Sequence, residues 1–133
     1  MHNKNKHEAD RWLRQASDDL LVAKWDVKGE FWAQSCFMAQ QAGEKALKAF
    51  CYANGERSII GHSLLVLIRK CAKYNKHFAD LIDDCKRLDK YYIITRYPNG
   101  LPDLTPAEYF DKGEATKAIR HSSRIIKLVK EHI

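Results

Sequence analysis

The chain has 133 residues, is 45% hydrophobic and 30% charged, and carries a formal charge of +6 with a pI near 9.2. That length predicts a single domain, residues 1–133, able to bury about two-thirds of its unfolded surface, so neither disulfides nor a structural metal is needed. The composition excludes a disordered chain, and no window approaches the roughly 18 consecutive apolar residues of a membrane span.

The start, "MHNKNKHEADRW", has no apolar run of the kind that leads a secreted chain, and the expected location is the cytoplasm. Cys36, Cys51, Cys71 and Cys85 include no C-x-x-C pair and fall in helical apolar patterns, so they are expected to be buried reduced thiols. No metal and no cofactor are expected. The cationic excess favours an anionic partner such as a nucleotide or RNA, although scattered lysines also suit plain solvated helix faces.

Valine occurs only four times while Ala, Leu, Lys and Glu are frequent, which favours helix over sheet. From Glu8 to Val27, Trp12, Ala16, Leu20, Ala23 and Val27 recur at steps of three and four, predicting an amphipathic helix that ends near Gly29. A second helix is predicted over 30–53, stopped by Asn54-Gly55. Its apolar residues cover most of its circumference and leave one polar arc of Gln41, Glu44, Lys45 and Lys48, the pattern of a central bundle helix. Shorter helices are predicted over 63–74, with Leu64, Leu67, Ile68 and Cys71 inward, and over 78–92, with Leu81, Ile82, Cys85 and Leu88 inward. Pro98, Gly100, Pro102 and Pro106 then forbid a continuous helix, and a last helix over 112–132 carries lysines and arginines on its outer side. The fold class is all-α: an antiparallel, up-and-down bundle of four to five helices with a long proline-containing loop before the last one.

Three stretches can carry chemistry. In "QQAGEKALK", Glu44 and Lys48 have the spacing of an ion pair with Gln41 a turn earlier, so the arc is either solvated surface or the lining of a groove. In "RSIIGHS", Arg57 and His62 precede a helix whose free N–H groups suit a phosphate, and a histidine with an arginine has the chemistry of RNA cleavage. The pair His62-Ser63 equally reads as a helix cap, and no acidic residue that would orient His62 is identifiable. In "RLDKYYIITRYPNGLPDLTPAEYF", Tyr91, Tyr92 and Tyr97 can stack on a base and Arg96 can grip a phosphate. Alternatively the tyrosines pin the loop and Arg96 pairs with Asp89 or Glu44.

"FMAQQAGEKALKAF", "GHSL" and "LDKYYIITRYP", in that order and spacing, together with the first helices, resemble the HEPN domain family over nearly the whole chain. The resemblance implies an antiparallel helical bundle that forms a homodimer and partners a minimal nucleotidyltransferase in a toxin–antitoxin-like system. Some HEPN proteins are metal-independent RNases with an R-x(4–6)-H motif, and others bind nucleotides or partners without cleaving. No histidine follows Arg96 at that spacing, whereas Arg57 and His62 satisfy it. The expected roles are therefore nucleotide or phosphate binding by Lys48, His62, Arg96, Tyr92 and Tyr97, with Gln41, Glu44 and Asp89 as a supporting polar network. The alternatives are an RNase toxin using Arg57 and His62 in a dimer cleft, and a structural helical adaptor without a ligand.

Overall fold

The structure, a computed structural model, describes residues 2–133. Helix α1 runs His2–Lys28 and α2 runs Trp32–Ala53. The first begins well before the expected Glu8. Lys4, Asn5, Lys6 and His7 carry no apolar period, but extending a helix that is already nucleated is inexpensive, so polar residues can prolong it.

Both helices end in the same way, with nested backbone bonds around one left-handed residue. After α2 that residue is Gly55 at φ 94°, where the Gly55 N–H donates to Tyr52 O at 3.0 Å and the Glu56 N–H to Cys51 O at 3.2 Å. After α1 it is Glu30 at φ 64°, one position past the glycine that the sequence pattern singled out. The Phe31 N–H closes that turn on Asp26 O at 2.9 Å.

Helix α3, Leu64–Tyr74, follows a ten-residue connection, 54–63, in which Ile60 is 90% exposed. The helix expected over 78–92 is divided into a 3-10 turn Lys76–Leu81, α4 Ile82–Asp89 and a short α5 Tyr91–Ile94. The proline-containing connection is less irregular than expected. It holds a 3-10 turn Pro98–Gly100 and a four-residue helix α6, Pro106–Tyr109, started by a reciprocal Thr105–Glu108 cap with Pro106 in its first turn. Helix α7, Lys112–Glu131, closes the bundle, capped by the Asp111 side chain, which accepts from the Glu114 N–H at 2.9 Å.

The result is an all-α antiparallel bundle with no strand among the described residues. Helix α2 is central, as its apolar circumference predicts. At Gly43 a Cβ would lie 2.9 Å from Leu64, 3.2 Å from Leu88 and 3.4 Å from Ile125, so α3, α4 and α7 converge on this one position. Leu47, Leu67, Ile68, Phe78 and Val129 fill the interior around it, and Phe50 stacks on Phe78 with ring centroids 4.1 Å apart. The four cysteines are buried and unbridged. Burial, reinforced by the Glu114 and Asp111 carboxylates, pushes the Cys36 thiol up to about 12.

Candidate functional site

The polar arc of α2 is not a solvated face. Glu44 is 3% exposed and Lys48 6%, and the Lys48 ammonium donates to Glu44 Oε2 at 3.0 Å. The other side of Lys48 lies over the Trp12 ring of α1, 5.5 Å from its centroid. A buried ion pair of this kind must be supported by further hydrogen bonds to offset its desolvation. Gln40 supplies one, donating from its amide to Glu44 Oε1 at 3.4 Å and to the His62 carbonyl at 3.1 Å. The buried glutamine of the network is thus Gln40, while Gln41 sits half-buried and donates to Gln40 at 2.8 Å. Lys45 turns away to α1, where Asp19 accepts from it at 2.6 Å.

Glu44 also faces His62, whose Nδ1 lies 3.2 and 3.3 Å from the two carboxylate oxygens. An acidic partner for His62 therefore exists, contrary to the sequence expectation; it comes from α2, 18 residues away in the chain. A carboxylate can only accept, so Nδ1 donates and Nε2 is left pointing away from the pair. The His62 side chain is 53% exposed and its ring stacks on Tyr92 at 4.4 Å with an interplanar angle of 18°.

Tyr92 carries the arrangement on to Arg96. The guanidinium lies 4.6 Å from the Phe37 and Tyr92 ring centroids and 5.2 Å from Tyr97, and its Nε donates to the Tyr92 carbonyl at 2.8 Å. Neither Glu44 nor Asp89 pairs with it, so the internal pairing entertained for Arg96 is not found among the described residues. Being exposed and held on aromatic faces, Arg96 keeps its two terminal nitrogens for a further acceptor.

Asp89 has a different partner. Its carboxylate accepts from the Leu64 N–H at 2.6 Å, the Leu65 N–H at 3.1 Å and the Ser63 hydroxyl at 3.0 Å. The start of α3, expected to offer free N–H groups to a phosphate, is thereby filled by the protein's own carboxylate. Ser63 acts as its N-cap, accepting from the Val66 N–H at 3.2 Å. Arg57 is also apart from the cluster. It is exposed on a hollow of about 340 Å³ with Lys4, Asn5, Glu8, Tyr52 and Glu56, and makes no bond to His62 among the described residues.

One chain thus assembles a buried frame of Gln40, Glu44 and Lys48 beneath a ladder of exposed His62, half-buried Tyr92, and exposed Arg96 and Tyr97. No group of three or more histidine, cysteine or carboxylate side chains able to hold a metal occurs among the described residues. A charge-supported imidazole beside an aromatic-mounted guanidinium can grip an anion, stack on a flat ring, or move a proton.

These features belong to a recognisable class of helical domain. Residues 9–132 match the HEPN domain, and the chain belongs to that family. Its backbone superposes on TT1696 from Thermus thermophilus with a TM-score of 0.90 and 36% identity, covering 95% of this chain and 98% of that one. The archaeal HEPN homologue ST0689 gives a TM-score of 0.78 at 31% identity, covering 93% and 96%. The "Putative toxin MJ1304" of Methanocaldococcus jannaschii is 23% identical over 130 residues, 92% of this chain and 86% of that protein.

Proposed function

We propose that this HEPN protein is a nucleotide- or RNA-binding module whose ligand sits on the His62–Tyr92–Arg96–Tyr97 ladder. The observation that carries this reading is Arg96, mounted on three aromatic rings and without a carboxylate partner among the described residues. An arginine so placed has its flat faces occupied and its outer N–H groups aligned for a phosphate. Tyr97, about half exposed, offers a ring for a base. Lys48, whose ammonium is committed to Glu44, supports the ladder from beneath instead of contacting the ligand.

The likeness to a protein whose name includes "toxin" supports a toxin–antitoxin setting; the cytoplasm as its location and a minimal nucleotidyltransferase as its partner are further parts of the proposal. Homodimer formation is part of the same reading. Ile60, Val66 and Ile93, between 48% and 90% exposed, lie close in sequence to the ladder residues and supply the apolar surface such contacts use.

Calorimetry with ATP, GTP and a short RNA tests the binding reading. Arg96→Ala should weaken the bound ligand by about 10- to 100-fold, the usual worth of a charge-assisted hydrogen bond. Unchanged affinity refutes the placement of the ligand on the ladder, and silence with all three ligands in the presence of the partner leaves a structural adaptor.

A second reading is favoured by one specific contact, Glu44 on His62. It makes the chain a metal-independent RNase, with His62 Nε2 moving the proton of the attacking 2′-OH or leaving oxygen. Arg57 would then have to reach the cleft from a second copy, since it does not touch His62 within one chain. RNA cut in the presence of EDTA, and His62→Ala slower by about 100- to 10,000-fold, is the expected outcome. Intact RNA with the wild-type protein eliminates this reading.

A further inference from the structure

The charge of the molecule is concentrated in one helix. Helix α7 holds Lys112, Lys117, Arg120, Arg124, Lys127 and Lys130 against Glu114 and Glu131, a net +4 of the chain's +6. Of the two carboxylates, Glu114 accepts from the Tyr91 hydroxyl and only Glu131, at the far end, shares the outer face.

Lys117, Arg120, Arg124 and Lys127 follow one another at steps of three, four and three, which places them within about 80° of one another around the helix and along about 15 Å of its length. All four are exposed. Lys117, Arg120 and Lys127 enter no ion pair among the described residues, and Arg124 only approaches Asp84, at 3.6 Å. Helix α4 packs beside α7 through the Asp84–His121 contact, and the exposed Asp80 shares a hollow with Arg124, Lys127 and Glu131, so the cationic excess is greatest toward Lys117 and Arg120. Like charges aligned at these spacings cost a little helix stability unless a counter-charge offsets them.

We infer that this outer face of α7 is a docking surface for the phosphate backbone of a nucleic acid. Charge complementarity chooses the class of partner, and the absence of apolar surface sharpens the choice. Protein interfaces are built around an apolar core, whereas nucleic-acid interfaces are polar and strongly cationic. The exposed large apolar side chains among the described residues lie elsewhere, on α1, α3 and α6, around α5 and in the connections, apart from Ile133 just past the end of α7. Two of the four cations are arginines, which take phosphate oxygens in pairs. The surface goes beyond the ladder, to which α7 contributes no side chain. A mononucleotide would not need it; a strand would.

The test is fluorescence anisotropy of the full chain with a labelled single-stranded RNA long enough to span the helix, across a series of KCl concentrations. A labelled DNA duplex and unlabelled poly-glutamate serve as further arms. Four backbone contacts give a plot of log affinity against log salt with a slope of about −3, and Arg120→Gln with Lys127→Gln should reduce it by about 1.4. Arg69→Gln with Lys73→Gln removes the same charge from an exposed face of α3 and should change the slope far less. Preference for RNA or for the duplex identifies which backbone is read. An equal effect of both double variants, or no salt-dependent binding by the wild type, overturns the inference. Poly-glutamate displacing RNA at equal charge overturns it in favour of an acidic protein. AMP titration separates this from the ladder: Arg96→Ala should weaken AMP as well as RNA, while the α7 variant should weaken RNA alone.

Discussion

Two histidines in this molecule each place Nδ1 on a buried carboxylate, and they do different work. His62 meets Glu44 at 3.2 Å and His121 meets Asp84 at 2.8 Å, and the two carboxylate side chains are 4% and 6% exposed. The imidazole of His121 is only 21% exposed, on the flank of α7, and its contact ties that helix to α4. His62, at the end of the connection before α3, is 53% exposed and stacks on Tyr92 next to Arg96. The same hydrogen bond therefore ties two helices together where the ring is covered and leaves Nε2 open to solvent where it is not. What distinguishes the pairs is access to Nε2 and the neighbouring groups, not the pair itself.

The pairs also differ in the lysine or arginine that joins the carboxylate. Lys48 is buried beside Glu44, whereas Arg124, beside Asp84, is 59% exposed and can turn to water. Glu44→Ala should therefore be the most damaging change, lowering the unfolding free energy by about 3–5 kcal/mol, because it strands a buried ammonium. Asp84→Ala should cost less, about 1–2 kcal/mol, because Arg124 is able to find solvent. Urea titrations of the two variants check the order, and the reverse order would break the comparison.

Replacing the rings should separate stability from binding. His121→Ala should cost about 1–2 kcal/mol in lost packing and hydrogen bonding while leaving ligand affinity unchanged. For His62→Ala the reverse is expected: a change in stability of about 0.5 kcal/mol or less, with weakened ligand binding. Paired denaturation and calorimetry on both variants decide this. Equal ligand loss in both would mean that the two histidines serve one site.

A burial of another kind, that of a thiol, shapes the alkaline limb of the stability profile. The Cys36 thiol ionises in the folded chain only near 12, against about 9 when unfolded. A raised pKa in the native state contributes stability that is fully present below about 9 and is lost as pH rises toward 12, since only the unfolded chain sheds the proton there. Stability measured by urea should fall across that window, and Cys36→Ala should flatten the fall. Alkylation near neutral pH should leave Cys36 untouched until the chain unfolds. Rapid labelling of Cys36 in the folded protein would contradict its burial.

Much of the site was visible in the order of the residues. Glu44, Lys48, His62, Arg96 and Tyr97 stand out from the apolar rhythm around them, and the Glu44–Lys48 spacing anticipated the ion pair. The burial of that pair was not visible. Periodicity assigns a residue to a helix face, but what covers that face, here Trp12 on one side and His62 on the other, comes from distant parts of the chain. Gln40 was passed over for Gln41 because adjacent glutamines differ only by about 100° of helix rotation, and only the packed neighbours reveal which one points inward. Asp89, read as a member of the network or a partner for Arg96, instead caps α3 from 25 residues away. His121 and Asp84 gave no signal, because each alone looks like one more polar residue on an amphipathic helix.

By itself, then, the sequence determined what depends on near neighbours. It set the succession of amphipathic helices, the stop after α2 at Gly55, the central place of α2, and the clustering of cations along α7. Only the tertiary structure decided which charges are buried, which carboxylate each histidine meets, and that Arg96 rests on Phe37, Tyr92 and Tyr97 instead of on an acid. The reason is physical: helix periodicity is a local property of the backbone, whereas desolvation and ion pairing depend on which side chains other helices bring within a few ångströms.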